Sequence, residues 1–278
     1  MNKALSGALD CDDGRGPGFF RFVRERYDRL SALSLALLVS LCVTVGYSHR
    51  DLLDANGEMD WLLAFTWLAM AALLTWNVVP RRDLLLFAVG AAGGAVIEWW
   101  GTNTRLWSYF TAERPPLWIL PAWPIAALSI DRLARLSERL LGEYEARRGR
   151  SIDPRPTKAA YYVCLPLFVV ALVAFIRPSL DQLASRVVIG IVLVVTFVRA
   201  EPRRDLSLFG AGSLLGVFLE YWGTSRECWT YYTHQLPPPV AIFAHGFASI
   251  AFARGFDLVE ALLGSVSQAL AGSVDRST

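Results

Sequence analysis

The sequence predicts an all-α, polytopic membrane protein with about eight transmembrane helices in two parallel four-helix repeats. The first observation behind this is apolarity gathered in long blocks. The chain of 278 residues is 54% hydrophobic, contains 10 Trp and has a mean hydropathy of +0.37. Its apolar residues collect in segments near the roughly 20 residues that cross a bilayer core. The second observation is an internal match. Pro80-Arg81-Arg82-Asp83 through Leu140-Leu141-Gly142 aligns without a gap on Pro202-Arg203-Arg204-Asp205 through Leu262-Leu263-Gly264, 122 residues later, and a fixed-offset repeat constrains architecture before other signals do. The third is the placement of positive charge. Of the 27 basic residues, 21 fall on one side of the expected spans and 6 on the other, so the positive-inside rule puts both termini in the cytoplasm. An even number of spans per half makes the repeats parallel, related by an axis along the membrane normal.

In chain order, residues 1–29 carry charge without an apolar core segment and read as a cytoplasmic N-terminal tail rather than a signal peptide. Residues 30–142 form the first membrane repeat, with spans at Leu30–Tyr47, Trp61–Val79, Leu84–Trp100 and Leu117–Ile130. Residues 143–158 are a charged cytoplasmic linker, in which Asp153-Pro154-Arg155-Pro156 breaks any helix. Residues 159–264 form the second repeat, with spans at Ala159–Ile176, Val187–Val198, Leu206–Trp222 and Val240–Phe252, and residues 265–278 are a small, polar tail. At each Arg-Arg-Asp turn, Pro80 or Pro202 ends one helix, and Asp83 or Asp205 is expected at the N-cap of the next. Pro121 and Pro124 are expected to kink the fourth span. Topology accounts for the basic clusters without a nucleic-acid partner. Twenty-five Arg against two Lys suggest a GC-rich prokaryotic source, and hence the plasma (inner) membrane.

The third and seventh spans are the informative ones. Gly90, Gly94, Glu98 and Thr102 recur every four residues, as do Gly212, Gly216, Glu220 and Thr224, so each set shares one helix face. Small residues on such a stripe let helices approach closely in lipid, which turns the glutamates toward protein. A rise of about 1.5 Å per residue puts Glu98 roughly 20 Å from the cytoplasmic end, in the outer third of the bilayer. Aromatic outer loops follow, with Trp107 and Tyr109 in the first and Trp229 and Tyr231 in the second. His245 stands where the first copy has Trp123, and His49 and His234 fall at the same membrane face. An intramembrane carboxyl is a functional candidate by default. Glu98, Glu220 and His245 are therefore the candidate catalytic residues. Trp100, Thr102, Trp107, Tyr109, Trp123, Trp222, Thr224, Trp229 and Tyr231 are the candidate substrate contacts. Plainer roles compete with these: carboxyls as helix glue, Trp and Tyr as an interfacial belt, Gly-Thr as helix ends, and His245 as a packing residue. Neither His-x3-His nor Glu-x2-His occurs, and the four cysteines lack ligand spacing; no metal and no cofactor is implied.

Glu98-x-x-Gly101-Thr102, then Trp107-x-Tyr109, then Pro116-Leu117-x-Ile119-x-Pro121-Ala122-Trp123 resembles the bacterial carotenoid hydratase and small lycopene cyclase group. Those membrane-embedded proteins pair a glutamate-glycine helix end with a tyrosine-rich turn and a proline-led helix ending in Trp. The match covers about 25 residues in each copy, with His245 replacing the Trp in the second. The chain lacks the Pro-x-x-Glu element expected of the cyclases. The resemblance implies Glu98 as counterpart of the acidic residue. Hydration or cyclisation of a polyene needs a carboxylic acid protonated near neutrality and aromatic faces for a carbocation.

The expected function is binding of a hydrophobic lipid or isoprenoid near the outer leaflet, with acid-base chemistry at the paired glutamates. A proton-coupled transporter and a non-catalytic membrane scaffold are the alternatives, and the residues alone do not decide whether the protein is an enzyme. The expected partners are membrane lipids and an isoprenoid or other hydrophobic small molecule.

Overall fold

Proline and aspartate set the helix starts. The computed structural model describes residues 27–48, 50 and 60–274; most of the N-terminal tail and His49 lie outside the described residues. The described residues form eight α-helices: α1 (Arg29–Ser48), α2 (Asp60–Thr75), α3 (Pro80–Asn103), α4 (Ala122–Arg148), α5 (Pro154–Phe175), α6 (Leu183–Phe197), α7 (Pro202–Ser225) and α8 (Pro239–Val274). Two three-residue strands, β1 (Trp107–Tyr109) and β2 (Trp229–Tyr231), lie in the loops after α3 and α7. Six helices are long and apolar enough to cross a membrane, while α2 and α6 are shorter. The chain is thus an all-α, multi-pass membrane protein.

Three local expectations change. Pro80 and Pro202 occupy the first turn of α3 and α7, where the missing N–H costs nothing. Asp83 and Asp205 therefore sit one turn inside the helix and are not N-caps. Each reaches back instead, Asp83 Oδ2 accepting from the Val79 N–H at 3.0 Å and Asp205 Oδ2 from the Glu201 N–H at 2.9 Å. Pro121 caps α4 and Pro124 lies in its first turn, after a separate 3-10 turn at Leu117–Ile119. The chain breaks before the helix, so a kink within it is not needed. The charged segment after Ile130 is also helical as far as Arg148, where Gly149 closes α4 in a left-handed conformation (φ 61°). At the start of α5, the Asp153 carboxylate accepts from the Arg155 N–H at 3.0 Å.

Packing follows the small-residue stripes. α7 and α8 form the most extensive pair, and α3 packs on α4. α4 also meets α7, α3 meets α8, and α5 covers α7 and α8, while α1 leans chiefly on α2. A Cβ at Gly212 would come within 2.7 Å of Gly246 Cα, and one at Gly246 within 2.3 Å of the Phe209 carbonyl oxygen. The main buried cluster runs from Trp100 of α3 and Leu106 through α4 to α8 and includes Ile130, Leu165, Phe168, Phe247 and Ile250.

At the helix ends opposite the strands, two arginines are buried. Arg132 is 1% exposed and Arg254 2%. The Arg132 Nη2 donates to Asp83 Oδ2 at 2.7 Å and its Nε to the Trp76 carbonyl at 2.9 Å. The Arg254 Nη2 donates to both Asp205 oxygens, at 2.6 and 2.9 Å. Arg82–Asp131 and Arg204–Asp257 add further pairs. Two of the basic residues counted toward topology are therefore locked between helices.

Candidate functional site

Each glutamate near the end of α3 and α7 is enclosed by donors from its own loop and the next helix. Glu98 is 4% exposed. Its Oε2 accepts from Trp107 Nε1 at 3.1 Å and from the Tyr109 hydroxyl at 2.8 Å, and its Oε1 from Trp123 Nε1 at 2.9 Å. Glu220 is also 4% exposed. It accepts from Trp229 Nε1 at 3.0 Å and from the Tyr231 hydroxyl at 2.9 and 3.0 Å, and its Oε1 lies 2.9 Å from His245 Nε2. Sequence positions +9, +11 and +25 from the glutamate supply the partners in both cases.

Local geometry explains those spacings. Residues i and i+2 of a strand share a face, so the Trp-x-Tyr of β1 and of β2 turns both side chains toward its glutamate. The chain reverses through Leu106 N–H to Gly101 O and Cys228 N–H to Gly223 O, each 2.9 Å. Glycine is required at 101 and 223, since a Cβ there would sit 1.9 Å from the Cη2 of Trp107 or Trp229. Gly94 makes room for Trp123 in the same manner, its Cβ position falling 2.2 Å from Trp123 Cγ. Gly216 does so for α8, with the Ile242 carbonyl oxygen at 2.6 Å and His245 Cδ2 at 3.0 Å.

The two carboxylates belong to one assembly. β1 and β2 pair antiparallel, with Trp107 opposite Tyr231, Ser108 opposite Thr230 and Tyr109 opposite Trp229. Trp123 stacks on His245 with ring centroids 5.9 Å apart and an interplanar angle of 18°. Chemically the two enclosures differ at that residue. Indole N–H can only donate, whereas imidazole can donate, accept or carry a proton. Glu220 thus has a titratable partner where Glu98 has a fixed donor.

Beside them lies a cavity of about 520 Å³ with almost wholly apolar walls, into which Glu98, Glu220 and His245 all face. Its size is in the range of small-molecule sites. Small residues on α3 open it: Ala92, Gly93 and Val96 line the cavity, whereas Leu214, Leu215 and Phe218 stand at the positions 122 residues on. Phe218 instead packs on Phe65, with centroids 5.6 Å apart. Walls from α6 and α8, such as Val188, Val192 and Phe252, were not singled out by sequence. The signal that could have found the opening is the small-for-large difference between the two copies.

The sequence candidates divide accordingly. Glu98, Glu220, His245, Trp100, Trp107, Tyr109, Trp123, Trp229 and Tyr231 line the cavity. Trp100 also donates its indole N–H to Ser185 Oγ at 2.9 Å, and that hydroxyl contacts Ser179 Oγ at 2.8 Å. Thr102 and Thr224 lie outside it, their hydroxyls donating to the backbone carbonyls of Glu98 at 2.6 Å and Glu220 at 2.7 Å. Trp222 is apart from the cavity, its N–H without a partner among the described residues. Trp99 and Tyr221 are about half exposed, as an interfacial belt requires. Among the described residues, no three His, Cys, Asp or Glu side chains gather where a metal could be held.

Fold and site together define a multi-pass helical membrane protein with two buried, fully hydrogen-bonded carboxylates. No protein-family model matches the chain, and no curated protein or solved structure matches it either.

Proposed function

We propose that the protein binds a hydrophobic lipid or isoprenoid beside Glu98 and Glu220 and acts on it through acid-base chemistry. One observation carries this reading: a single apolar cavity touches both carboxylates and His245. The Glu220–His245 pair is the proton donor and acceptor, since there a carboxylate facing the cavity meets an imidazole, which can both take and give a proton. Protonation of an alkene carbon would leave a carbocation flanked by indole and phenol faces and by the fixed Glu98. Capture by water would return the proton and complete a hydration. The resemblance to carotenoid-pathway proteins fits this chemistry.

Lipid extraction of the purified protein followed by mass spectrometry tests the binding reading. A retained isoprenoid or other single lipid class is expected, and a profile identical to bulk membrane would overturn it. We further infer eight spans in two parallel repeats with both termini cytoplasmic, in a prokaryotic plasma membrane, from the 122-residue match and the basic asymmetry. A C-terminal reporter that reads extracytoplasmic would sink that topology.

A scaffold role is the second reading, and the enclosures favour it. Every carboxylate oxygen has a donor, so each glutamate also ties a loop to two helices.

A further inference from the structure

We propose that the ligand of the apolar cavity carries a phosphate head, which a second, polar cavity on the strand side receives. The inference rests on the lipid-binding reading and adds the chemical class of the ligand. The polar cavity, about 380 Å³, is bordered by Arg105, Arg114 and His234, with Glu113 as the one acidic residue in its lining. Neither arginine enters an ion pair or side-chain hydrogen bond among the described residues. Their guanidinium groups present the planar, multi-donor geometry that suits phosphate oxygens.

The turn conformation is common to both copies: Arg105 and Glu227 have φ of 59° and 54°, and Ala112 and His234 of 58° and 54°. The basic character, by contrast, is one-sided. Glu227 and Leu236 occupy the positions 122 residues after Arg105 and Arg114, so the second loop cannot build the same head site.

The two cavities meet at shared walls, because Trp107, Tyr109 and Tyr231 line both. A molecule with an apolar chain and an anionic end therefore has a place for each part on either side of these rings. A neutral polyene would use one cavity and leave the arginines idle.

Calorimetric titration of the detergent-solubilised full chain tests this with three probes: farnesyl phosphate, farnesol and inorganic phosphate. Farnesyl phosphate is expected to bind about tenfold or more tighter than farnesol, the scale of one charge-assisted hydrogen bond. The double substitution R105Q/R114Q should erase that margin and leave farnesol binding unchanged. In the unsubstituted protein the margin should also shrink as salt rises from about 0.1 to about 1 M, where the Debye length falls from about 10 to about 3 Å. Equal affinity for farnesol and farnesyl phosphate would overturn the head site while leaving the lipid-binding reading intact. Inorganic phosphate binding as tightly as farnesyl phosphate would replace the proposal with a free-anion site. Binding of none of the three would remove both the head site and the lipid-binding reading.

Discussion

Asp205→Ala is expected to destabilise the protein by about 3–5 kcal/mol, the cost of leaving a buried charge without its partner. Asp205 is fully buried and Arg254 is 2% exposed, and both Asp205 oxygens accept from one guanidinium nitrogen. Glu201 and Asp257 stay near, at 3.2 and 3.6 Å, but both are more exposed and cannot replace a carboxylate between the helices. Asp83→Ala should fall in the same range, softened by the bond from Arg132 Nε to the Trp76 carbonyl. Removing both charges with Asp205→Leu/Arg254→Met should be milder than Asp205→Ala alone, because no ion is then stranded. Thermal unfolding in detergent reads all of these. An Asp205→Ala protein that melts with the unsubstituted one would show that Arg254 reaches water.

Glu98→Gln and Glu220→Gln should differ, and the difference follows from counting donors. Glu98 takes three donors, and two of them, Trp107 and Trp123, are indole N–H groups that cannot accept. An amide places its own NH2 against an indole N–H, and one buried donor loses its partner at about 1–3 kcal/mol. At Glu220 the amide NH2 can donate to His245 Nε2, provided the neutral imidazole carries its proton on Nδ1, while the amide oxygen keeps Trp229 and Tyr231. Glu220→Gln should therefore fold with a near-normal melting temperature but lose proton transfer, whereas Glu98→Gln should melt lower. Equal loss of stability in both would favour the scaffold reading, and unchanged turnover in Glu220→Gln would remove the Glu220–His245 pair from the chemistry.

Much of this site was legible in the sequence, for a physical reason. The partners of each glutamate lie within 25 residues of it, on a turn and on the first turns of the next helix, so the shared spacing in two copies exposed them. The glycine stripes were legible for the same reason, since close approach leaves few choices of residue. The Asp83–Arg132 and Asp205–Arg254 pairs were not. Their members are 49 residues apart, and an arginine near a helix end reads equally well as a topology signal. The strands were invisible because three residues carry no periodic pattern, and their pairing joins segments 122 residues apart. The charged continuation of α4 to Arg148 looked like a linker because its polarity ended the apolar block, although helices outlast the membrane wherever water can solvate their side chains. The aromatic belt explained too many tryptophans: Trp107 and Trp229 spend their N–H groups on carboxylates.

The paired strands bear on motion. They are the only strands among the described residues, and they join the loop after α3 to the loop after α7. Flanking bonds extend the seam, Tyr232 N–H to Leu106 O at 3.0 Å and Phe110 N–H to Cys228 O at 3.2 Å. Swinging α1–α4 away from α5–α8 at this end would have to unzip them, at about 0.5–1.5 kcal/mol net for each bond, and would part the stacked rings of Trp123 and His245. A rocking carrier needs a gate at each end; here one end is stitched shut. On the proposed reading, a guest would reach the interior through the gaps between helices, sideways from lipid.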